Sequence, residues 1–223
     1  MILVTGGAGF IGSVMVWALN QRGIDDIIIV DHLGSSDKWK NLTGLRYADY
    51  CEKSDFLNYL DKGAFDAHKF EAVLHLGACS STTESDASYL IKNNFEFSKA
   101  LALWATANRA RFIYASSAAT YGDGEHGFDD NSDGIARLTP LNMYGYSKQM
   151  FDLWLKHRGL LDRCVGIKFF NVFGPNEYHK RSMRSFILKA FEQINQTGEV
   201  KLFRSHREGY GDGEQLRDFI YVK

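Results

Sequence analysis

The first thirty-one residues constrain the fold more than any other part of the chain. An apolar stretch at residues 2–4 predicts a strand that runs into a loop containing Gly6, Gly9 and Gly12, followed by an amphipathic helix. Glycines at this spacing allow a tight turn, close approach of the backbone to a pyrophosphate, and close packing of helix on strand. A second predicted strand, at residues 27–30, ends at Asp31, where ribose hydroxyls are usually bound. An ordinary glycine turn lacks this context, so the pattern predicts bound NAD(P).

Length and charge exclude several classes of protein. The chain has 223 residues, 45% of them hydrophobic, which suffices for one large α/β domain and the beginning of a second. Its net charge is -1 without a basic or acidic block, so nothing indicates nucleic acid or a membrane surface as partner. No apolar run approaches the roughly twenty residues that span a bilayer, and the first strand leaves no room for a signal peptide. We therefore expect a cytoplasmic location.

The cysteines and histidines do not form a metal-binding pattern. Cys51, Cys79 and Cys164 are scattered and lack paired ligand spacing, which predicts reduced thiols and no metal site. The seven histidines are also dispersed. We interpret His75, which lies inside an apolar run, as a hydrogen-bonded core residue rather than a ligand.

Helical and strand patterns alternate along the first 171 residues. Helices are predicted at residues 10–22, 54–60, 84–109 and 144–158, and further strands at 27–31, 46–49, 71–76, 111–116 and 164–171. This alternation is typical of a doubly wound parallel sheet, the Rossmann type of α/β fold. We expect residues 1–171 to form an NAD(P)-binding domain.

From residue 172 the character of the chain changes. A basic helix is predicted at residues 183–192, a strand at 200–203, and a glycine-rich polar loop up to Gly213. Residues 217–223 have the pattern of a strand with no turn or polar tail behind it, and domains seldom end that way. We therefore expect residues 172–223 to be the start of a smaller, incomplete substrate-binding lobe whose exposed apolar edges favour self-association.

A candidate acid/base site follows the fifth predicted strand. Tyr144 and Lys148 are spaced to lie on one face of the next helix, and Ser117 ends the strand before it. A phenol has a pKa of about 10, and a lysine ammonium one turn away favours the phenolate, which then accepts a hydroxyl proton. Such a pair arises readily by chance, so its position in the fold is the stronger argument. Small residues at 77–80 allow backbone to lie against a cofactor, or simply to pack tightly.

These features together resemble a known family. With the three glycines, Ser117, Tyr144 and Lys148 in this order, the chain resembles the extended short-chain dehydrogenase/reductases that act on nucleotide sugars. Segments 77–84, 114–122, 170–175, 179–183 and 217–219 narrow the resemblance to the ADP-heptose 6-epimerase branch. Its most specific parts are Gly-Ala-Cys-Ser-Ser-Thr-Thr at residues 77–83 and His-Lys-Arg-Ser-Met at 179–183.

The resemblance implies an activity and partners. The C6″ hydroxyl of ADP-D-glycero-D-manno-heptose would be oxidised to a transient aldehyde, and hydride would return to the opposite face to give the L-glycero epimer for the lipopolysaccharide core. It also implies tightly bound NADP or NAD and a homo-oligomeric assembly, a pentamer in the full-length form.

The resemblance also assigns roles to individual residues. Tyr144 and Lys180 match the two catalytic acid/base residues, because the C6″ oxygen must exchange a proton in two orientations; alternatively, Lys180 only binds the diphosphate. The implied cofactor-binding residues are Gly6, Gly9, Phe10, Ile11, Gly12, Asp31, His32, Lys38, Lys53, Leu76, Gly77, Ala78, Cys79, Ser80, Asn93, Lys148 and Val172. The implied substrate-binding residues are Asn171, Ser182, Lys189, Phe203, Arg204, Ser205, His206 and Arg217.

The cofactor preference rests on opposing signals. Lys38 and Lys53 favour NADP because either can pair with a 2′-phosphate, whereas Asp31 would repel that phosphate unless it is turned aside. We predict NADP. Two residues depart from the family pattern: His32 stands where Asn is usual, and Lys189 stands where His is usual. The first bears on the preference for NADP or NAD, and the second on binding of the substrate's diphosphate.

Two other functions stay open. One is another nucleotide-sugar epimerase or a decarboxylase of the same family, and the other is a non-catalytic NAD(P)-binding protein. Dehydratases of this fold need carboxylates just after the fifth strand, where this chain has Ala118, Ala119 and Thr120, so elimination of water is disfavoured. The intact set of Ser117, Tyr144 and Lys148 argues against a non-catalytic role.

Overall fold

A computed structural model describes residues 1–206 and 208–223. Its main sheet has six parallel strands in the order β3-β2-β1-β4-β5-β6. The strands are β1 (Ile2–Thr5), β2 (Ile27–Asp31), β3 (Asp49–Glu52), β4 (Ala72–His75), β5 (Arg111–Ser117) and β6 (Cys164–Phe169). The predicted doubly wound parallel fold is confirmed.

Helices cover both faces of this sheet. They are α1 (Phe10–Gln21), α2 (Lys53–Asp61), α3 (Ala87–Leu90), α4 (Phe97–Ala107), α5 (Met143–His157) and α6 (Phe186–Thr197). Phe56, Leu101 and Phe151 are fully or almost fully buried on one face, and Val16 and Ile29 on the other. Because β2 is buried along its whole length, its apolar run packs against helices on both sides.

The strand order reverses beside β1, and this fixes the position of the cleft. β1 pairs with β2 on one side and with β4 on the other, so the loops that leave β1 and β4 part in opposite directions. In sheets of this type, ligands bind outside the carboxyl ends of the strands at this reversal. The loops that begin at Gly6 and Gly77 meet there.

A second, smaller sheet begins where the predicted sixth strand was expected to continue. The prediction of one strand at residues 164–171 is wrong in its last part: β6 ends at Phe169, and β7 (Asn171–Phe173) pairs in parallel with β8 (Phe219–Tyr221). Phe170 packs against Tyr121 and Phe128, with ring centroids 6.2 and 6.0 Å away. This packing turns the chain out of the main sheet.

Polar side chains explain two other corrections before residue 110. The third strand was predicted at 46–49 but begins at Asp49, because Arg46 exchanges backbone hydrogen bonds with the Asn20 side chain at the end of α1. The helix predicted at 84–109 begins at Ala87, since Asp86 caps it by accepting from the backbone N–H of Tyr89. A π-helical segment, Ile91–Glu96, joins α3 to α4.

Two predictions after residue 180 are also corrected. The basic helix predicted at 183–192 is α6, which Ser185 caps and Gly198 ends with φ +76°. Residues 200–203 do not form the predicted strand, because the backbone N–H of Lys201 donates to the Gln193 side chain on α6. Within the described residues, no helix is both long enough and apolar enough to cross a membrane.

Short 3₁₀ segments complete the elements that border the cleft. They are Asp37–Leu42 after β2, Ala118–Tyr121 after β5, and Tyr178–Met183 after β7, with Ser132–Arg137 before α5. The three cysteines are free thiols, as predicted.

Candidate active site

One cleft of about 2080 Å³ runs along the carboxyl ends of the main strands and reaches the second sheet. Each residue assigned above to catalysis, cofactor or substrate lines this cleft. The sequence therefore predicts which residues come together, although they are spread from residue 6 to residue 217.

The glycine-rich loop (residues 6–12) fits the phosphates of a dinucleotide. A Cβ on Gly12 would lie 2.0 Å from the carbonyl oxygen of Gly6, so helix and loop pack more closely than any side chain permits. Gly6 has φ +71°, and a Cβ there would lie 2.6 Å from Gly77. Helix α1 begins at Phe10 without a side-chain cap or an acidic residue in its first turn. Its N-terminal N–H groups and dipole thus favour an anion.

The carboxylate of Asp31 is held by three donors. Its Oδ2 accepts from the N–H of Ala8 at 2.8 Å, and its Oδ1 accepts from the N–H of His32 at 2.7 Å and from Lys38 Nζ. Lys38 also donates to the His32 carbonyl at 3.3 Å. The charge of Asp31 is therefore compensated within the protein, and its side chain is only 6% exposed.

Lys53 approaches the same end of the cleft from α2. Its Nζ donates to Asn93 Oδ1 and lies 5.1 Å from the centroid of the Phe97 ring. Burial lowers the pKa of Lys53, and the nearby Asp31 and Cys79 oppose that shift. The cleft consequently has two lysines, Lys38 and Lys53, beside one compensated aspartate.

Tyr144 and Ser117 form the polar centre of the cleft. Ser117 is the last residue of β5, and Tyr144 lies in the first turn of α5, which Asn142 caps by accepting from the N–H of Gly145 at 2.8 Å. The Tyr144 and Ser117 side chains are hydrogen-bonded. Burial raises the pKa of Tyr144, and the Ser117 hydrogen bond only partly opposes this.

Lys148 does not act on Tyr144 as the sequence predicts. Its Nζ donates to the Ala115 carbonyl at 2.7 Å, and its side chain is 5% exposed. Burial lowers the pKa of Lys148 to about 8, against the opposing charge of Asp152. The expected lowering of the Tyr144 pKa is thus wrong for this structure, in which burial dominates and the phenol is protonated at neutral pH.

Asp152 continues the helical face of Tyr144 and Lys148 by one more turn. Its carboxylate accepts from the Tyr114 hydroxyl at 2.7 Å, the Ser116 hydroxyl at 2.9 Å and Lys168 Nζ at 3.0 Å. Asp152 and its three donors lie where α5 packs against β5 and β6. Asp152 therefore fixes the backbone from which Ser117 and Lys148 extend.

Lys180 enters the cleft from the loop between β7 and α6. Residues 174–185, which we call the Lys180 loop, contain the 3₁₀ segment Tyr178–Met183. Lys180 Nζ lies 5.5 Å from the centroid of the Phe10 ring, beside the glycine-rich loop. Burial lowers the pKa of Lys180, with Glu177 opposing the shift, so the neutral amine is more accessible than in an exposed lysine.

The substrate end of the cleft is lined with cations. Lys189 Nζ donates to the Ser182 carbonyl at 2.6 Å, and the exposed Arg204 and Arg217 lie on the segments beyond α6. Phe203 packs on Phe186 with ring centroids 5.5 Å apart. Cations beside an apolar wall suit a diphosphate joined to a less polar group.

The positions where a dehydratase needs carboxylates hold none. Ala118 and Ala119 line the cleft directly after β5. Thr120 is fully buried and donates to the Ser117 carbonyl at 2.8 Å. These three residues cannot supply a proton for elimination.

Several supporting residues were not predicted from the sequence. Asn94 accepts from the N–H of Cys79 at 2.9 Å and donates to the Ser147 hydroxyl at 3.1 Å, so it joins the 77–80 loop to α5. The consecutive asparagines 93 and 94 were the available signal. Asn41 and Glu177, which hold the Lys180 loop, have no local motif.

The prediction for His75 is confirmed. The residue is 2% exposed, and its ring nitrogens bond the hydroxyls of Thr5 and Ser98 at 2.6 and 2.7 Å. Burial lowers its pKa to about 3, so the imidazole is neutral. Among the described residues, no group of three or more His, Cys, Asp or Glu side chains forms a candidate metal site.

Comparisons with known proteins agree with this geometry. A family model described as NAD dependent epimerase/dehydratase family matches residues 2–223. ADP-L-glycero-D-manno-heptose-6-epimerase of Nitratidesulfovibrio vulgaris (strain Hildenborough) is 56% identical over 223 residues, covering 100% of this chain and 69% of that protein. The protein of the same name from Fusobacterium nucleatum is 50% identical over 226 residues, covering 100% of this chain and 68% of its own length.

A solved structure is similar in fold and sequence. ADP-L-glycero-D-manno-heptose-6-epimerase of Helicobacter pylori superposes with a TM-score of 0.82 at 30% sequence identity. The superposition covers 99% of this chain and 68% of that one. This chain thus spans roughly two thirds of the length of the proteins it matches.

Proposed function

This chain belongs to the NAD dependent epimerase/dehydratase family, and on that premise we propose that it inverts C6″ of ADP-D-glycero-D-manno-heptose. The product is ADP-L-glycero-D-manno-heptose, a precursor for the lipopolysaccharide core. The observation that supports this most strongly is that Tyr144 and Lys180 line one cleft from two different elements, with cations beyond them.

The reaction proceeds by oxidation and reduction at one carbon. The C6″ alcohol becomes an aldehyde, the intermediate rotates about the C5″–C6″ bond, and hydride returns to the opposite face. When bound, the nicotinamide cofactor supplies the hydride acceptor for the first step and the hydride donor for the second. The glycine-rich loop and the N-terminus of α1 would hold its pyrophosphate, and Lys148 and Val172 would line the rest of its site.

Two acid/base residues suit this reaction better than one. The C6″ oxygen occupies different positions before and after rotation, so a single fixed group is poorly placed for both proton transfers. Tyr144, with a raised pKa and a hydrogen bond to Ser117, is a proton donor to the oxygen. Lys180, with a lowered pKa, accepts the proton on the other side.

We further propose NADP as the preferred cofactor. The three donors to Asp31 reduce its repulsion of a 2′-phosphate, because Lys38 neutralises the carboxylate. Lys53 adds a second cation at the same end of the cleft. His32, at the same end of the cleft, is exposed, and its Nδ1 lies 2.6 Å from Glu52 Oε1, so this carboxylate is also paired within the protein.

The substrate's diphosphate is assigned to the cationic end. Lys189, Arg204 and Arg217 line this part of the cleft together with Ser182 and Asn171. Residues 203–206 extend along the same wall. With the diphosphate at this end, we place the heptose between Tyr144 and Lys180, which both line the cleft.

A substrate comparison tests the proposal. The purified protein is incubated with ADP-D-glycero-D-manno-heptose, UDP-glucose and GDP-mannose in turn, and the products are identified by chromatography and NMR. We expect inversion of the heptose at C6″ and no change in the hexoses, with Tyr144→Phe as the inactive control. Conversion of a hexose alone would indicate the alternative family activities. Cofactor binding without any conversion would indicate a non-catalytic protein.

A further inference from the structure

Asn41 contacts both loops that border the reacting end of the cleft. Its Nδ2 donates to the carbonyl of Ala8 in the glycine-rich loop at 3.0 Å. The same nitrogen lies 3.2 Å from the carbonyl of Asn176 and 3.2 Å from His179 Nδ1 in the Lys180 loop. One partly buried amide therefore joins segments that are 135 and 33 residues away in sequence.

Two of the three groups around this amide are carbonyl oxygens, which accept hydrogen bonds. The third is the Nδ1 nitrogen of the His179 ring. Burial, with Lys38 and Lys180 nearby, lowers the pKa of His179 against a hydrogen bond to the Asn176 backbone, so the ring is neutral at pH 7. A side chain without two N–H donors cannot replace Asn41 in this position.

Further contacts hold the two loops together near Asn41. Asn176 has φ +74°, and its Nδ2 donates to the Ser13 hydroxyl on α1 at 3.0 Å. Lys180 itself packs over the ring of Phe10, the first residue of α1. The Lys180 loop therefore rests on the glycine-rich loop and on the start of α1.

The 3₁₀ segment Asp37–Leu42 connects this contact to the cofactor end. Lys38 and Asn41 are three residues apart, and in a 3₁₀ helix side chains at that spacing lie one above the other. Lys38 bonds Asp31, which in turn accepts from the N–H of Ala8. Ala8 is thus held through its N–H by Asp31 and through its carbonyl by Asn41.

We propose that Asn41 is a positioning residue that fixes the Lys180 loop to the glycine-rich loop, so that Lys180 reaches the C6″ oxygen only while this contact holds. The inference rests on the proposed function to the extent that Lys180 is the second acid/base residue. Asn41 itself does not line the cleft, so it acts on the reaction only through the position of the Lys180 loop.

The experiment compares Asn41→Ala with Asn108→Ala in the cofactor-loaded protein. Asn108 is exposed directly after α4, and its side chain donates to the Trp104 carbonyl at the end of that helix, so it controls for loss of an asparagine. We expect Asn41→Ala to lower kcat about tenfold with a KM change below about threefold, the size of effect that loss of a hydrogen bond produces. Asn108→Ala should leave both values unchanged.

Non-additivity distinguishes positioning of Lys180 from a general structural effect. In the Lys180→Met background, Asn41→Ala should lower kcat by less than about twofold, because the residue on which it acts is already gone. A full tenfold further loss in the double variant would overturn the proposal.

Backbone hydrogen exchange gives a readout that does not depend on activity. Asn41→Ala should increase amide exchange in residues 174–185 while the main sheet stays protected. If Lys180→Met retains its full kcat, the proposed role of Lys180 fails, and unchanged exchange in this loop would then overturn the role of Asn41 as well.

A second variant tests the same contact if Asn41→Ala does not fold. Asn176→Gly keeps the positive φ but loses the hydrogen bond to Ser13, and it is expected to increase amide exchange in residues 174–185.

Discussion

The two sides of the cleft are built differently. Tyr144, Ser117 and Lys148 belong to the main sheet and α5, where Ser117 and Lys148 are 8% and 5% exposed. Lys180 lies on a loop that follows a two-stranded sheet whose second strand, β8, is exposed along its length. Burial raises the pKa of Tyr144 and lowers that of Lys180. The same desolvation thus favours the protonated phenol of Tyr144 on the first side, which we call the framework side, and the neutral amine of Lys180 on the second, which we call the loop side.

If each side supplies one proton transfer, removing either group should have the largest effect. Tyr144→Phe and Lys180→Met should each lower kcat about 10²-fold or more while cofactor and substrate binding are retained. Tyr146→Phe, on an exposed face of the same helix, and Lys201→Met, on the exposed segment after α6, are the matched controls. A Lys180→Met variant with normal kcat and only a raised KM would leave Tyr144 as the sole acid/base residue.

The loop side should depend on one buried carboxylate. Glu177 is 1% exposed and accepts from the N–H of Gly174 at 3.2 Å and from the N–H and hydroxyl of Ser185 at 2.5 and 2.8 Å. Glu177→Ala leaves these donors unpaired. We expect kcat to fall about tenfold and the free energy of unfolding to fall by about 2 kcal/mol, measured by kinetics and denaturant titration.

Glu199→Ala, at an exposed position beyond α6, serves as the control for Glu177→Ala. Equal kcat values in the two variants would mean that the Lys180 loop keeps its shape without Glu177. The contrast between a framework side and a loop side would then be unsupported.

The framework side should respond to pH through Lys148. Its pKa of about 8 means that its ammonium is present below that pH and is lost as pH rises through it. Asp152 favours the charged form, so Asp152→Asn should lower the pKa further and move the alkaline limb of the kcat profile down by about one pH unit. The exposed Asp133→Asn is the control, and identical alkaline limbs in wild type and Asp152→Asn would contradict this assignment.

A further effect, on cofactor choice rather than on kcat, is expected at the cofactor end of the cleft, where Lys38 neutralises Asp31. Cofactor released on denaturation should be mainly NADP. Lys38→Ala should weaken NADP binding about tenfold relative to NAD, because Asp31 then repels the 2′-phosphate. Lys40→Ala, on the same 3₁₀ segment, should change neither affinity. Release of mainly NAD, together with unchanged NADP affinity in Lys38→Ala, would contradict the proposed preference for NADP.

The parts of the fold and the site that follow a local pattern with one structural solution could be predicted from the sequence. The spaced glycines 6, 9 and 12 and the alternating apolar strands predict the doubly wound parallel sheet and the glycine-rich loop, because close packing at Gly12 admits no side chain. His75 was correctly interpreted as a hydrogen-bonded core residue because it lies inside an apolar run, and the structure adds its partners, the hydroxyls of Thr5 and Ser98.

Predictions were wrong where a side chain outside the local pattern determines the conformation or the pKa. The lowering of the Tyr144 pKa by Lys148 was predicted from helical spacing alone, but the ammonium of Lys148 donates to the Ala115 carbonyl, and burial raises the pKa of Tyr144. The strand predicted at 200–203 failed because Gln193 binds the backbone there. Asn41 contacts residues that are 33 to 138 positions away in sequence. Glu177 binds Gly174 and Ser185 within its own loop, but the residues there form no recognisable motif.

The most direct test of the account is to run the epimerisation in D₂O. Removal and return of hydride at C6″ leaves the carbon-bound hydrogens out of exchange with solvent. We predict ADP-L-glycero-D-manno-heptose whose NMR and mass spectra contain no deuterium at C5″ or C6″. Incorporation of one deuterium at either carbon would contradict hydride return and would indicate abstraction of a proton from carbon instead.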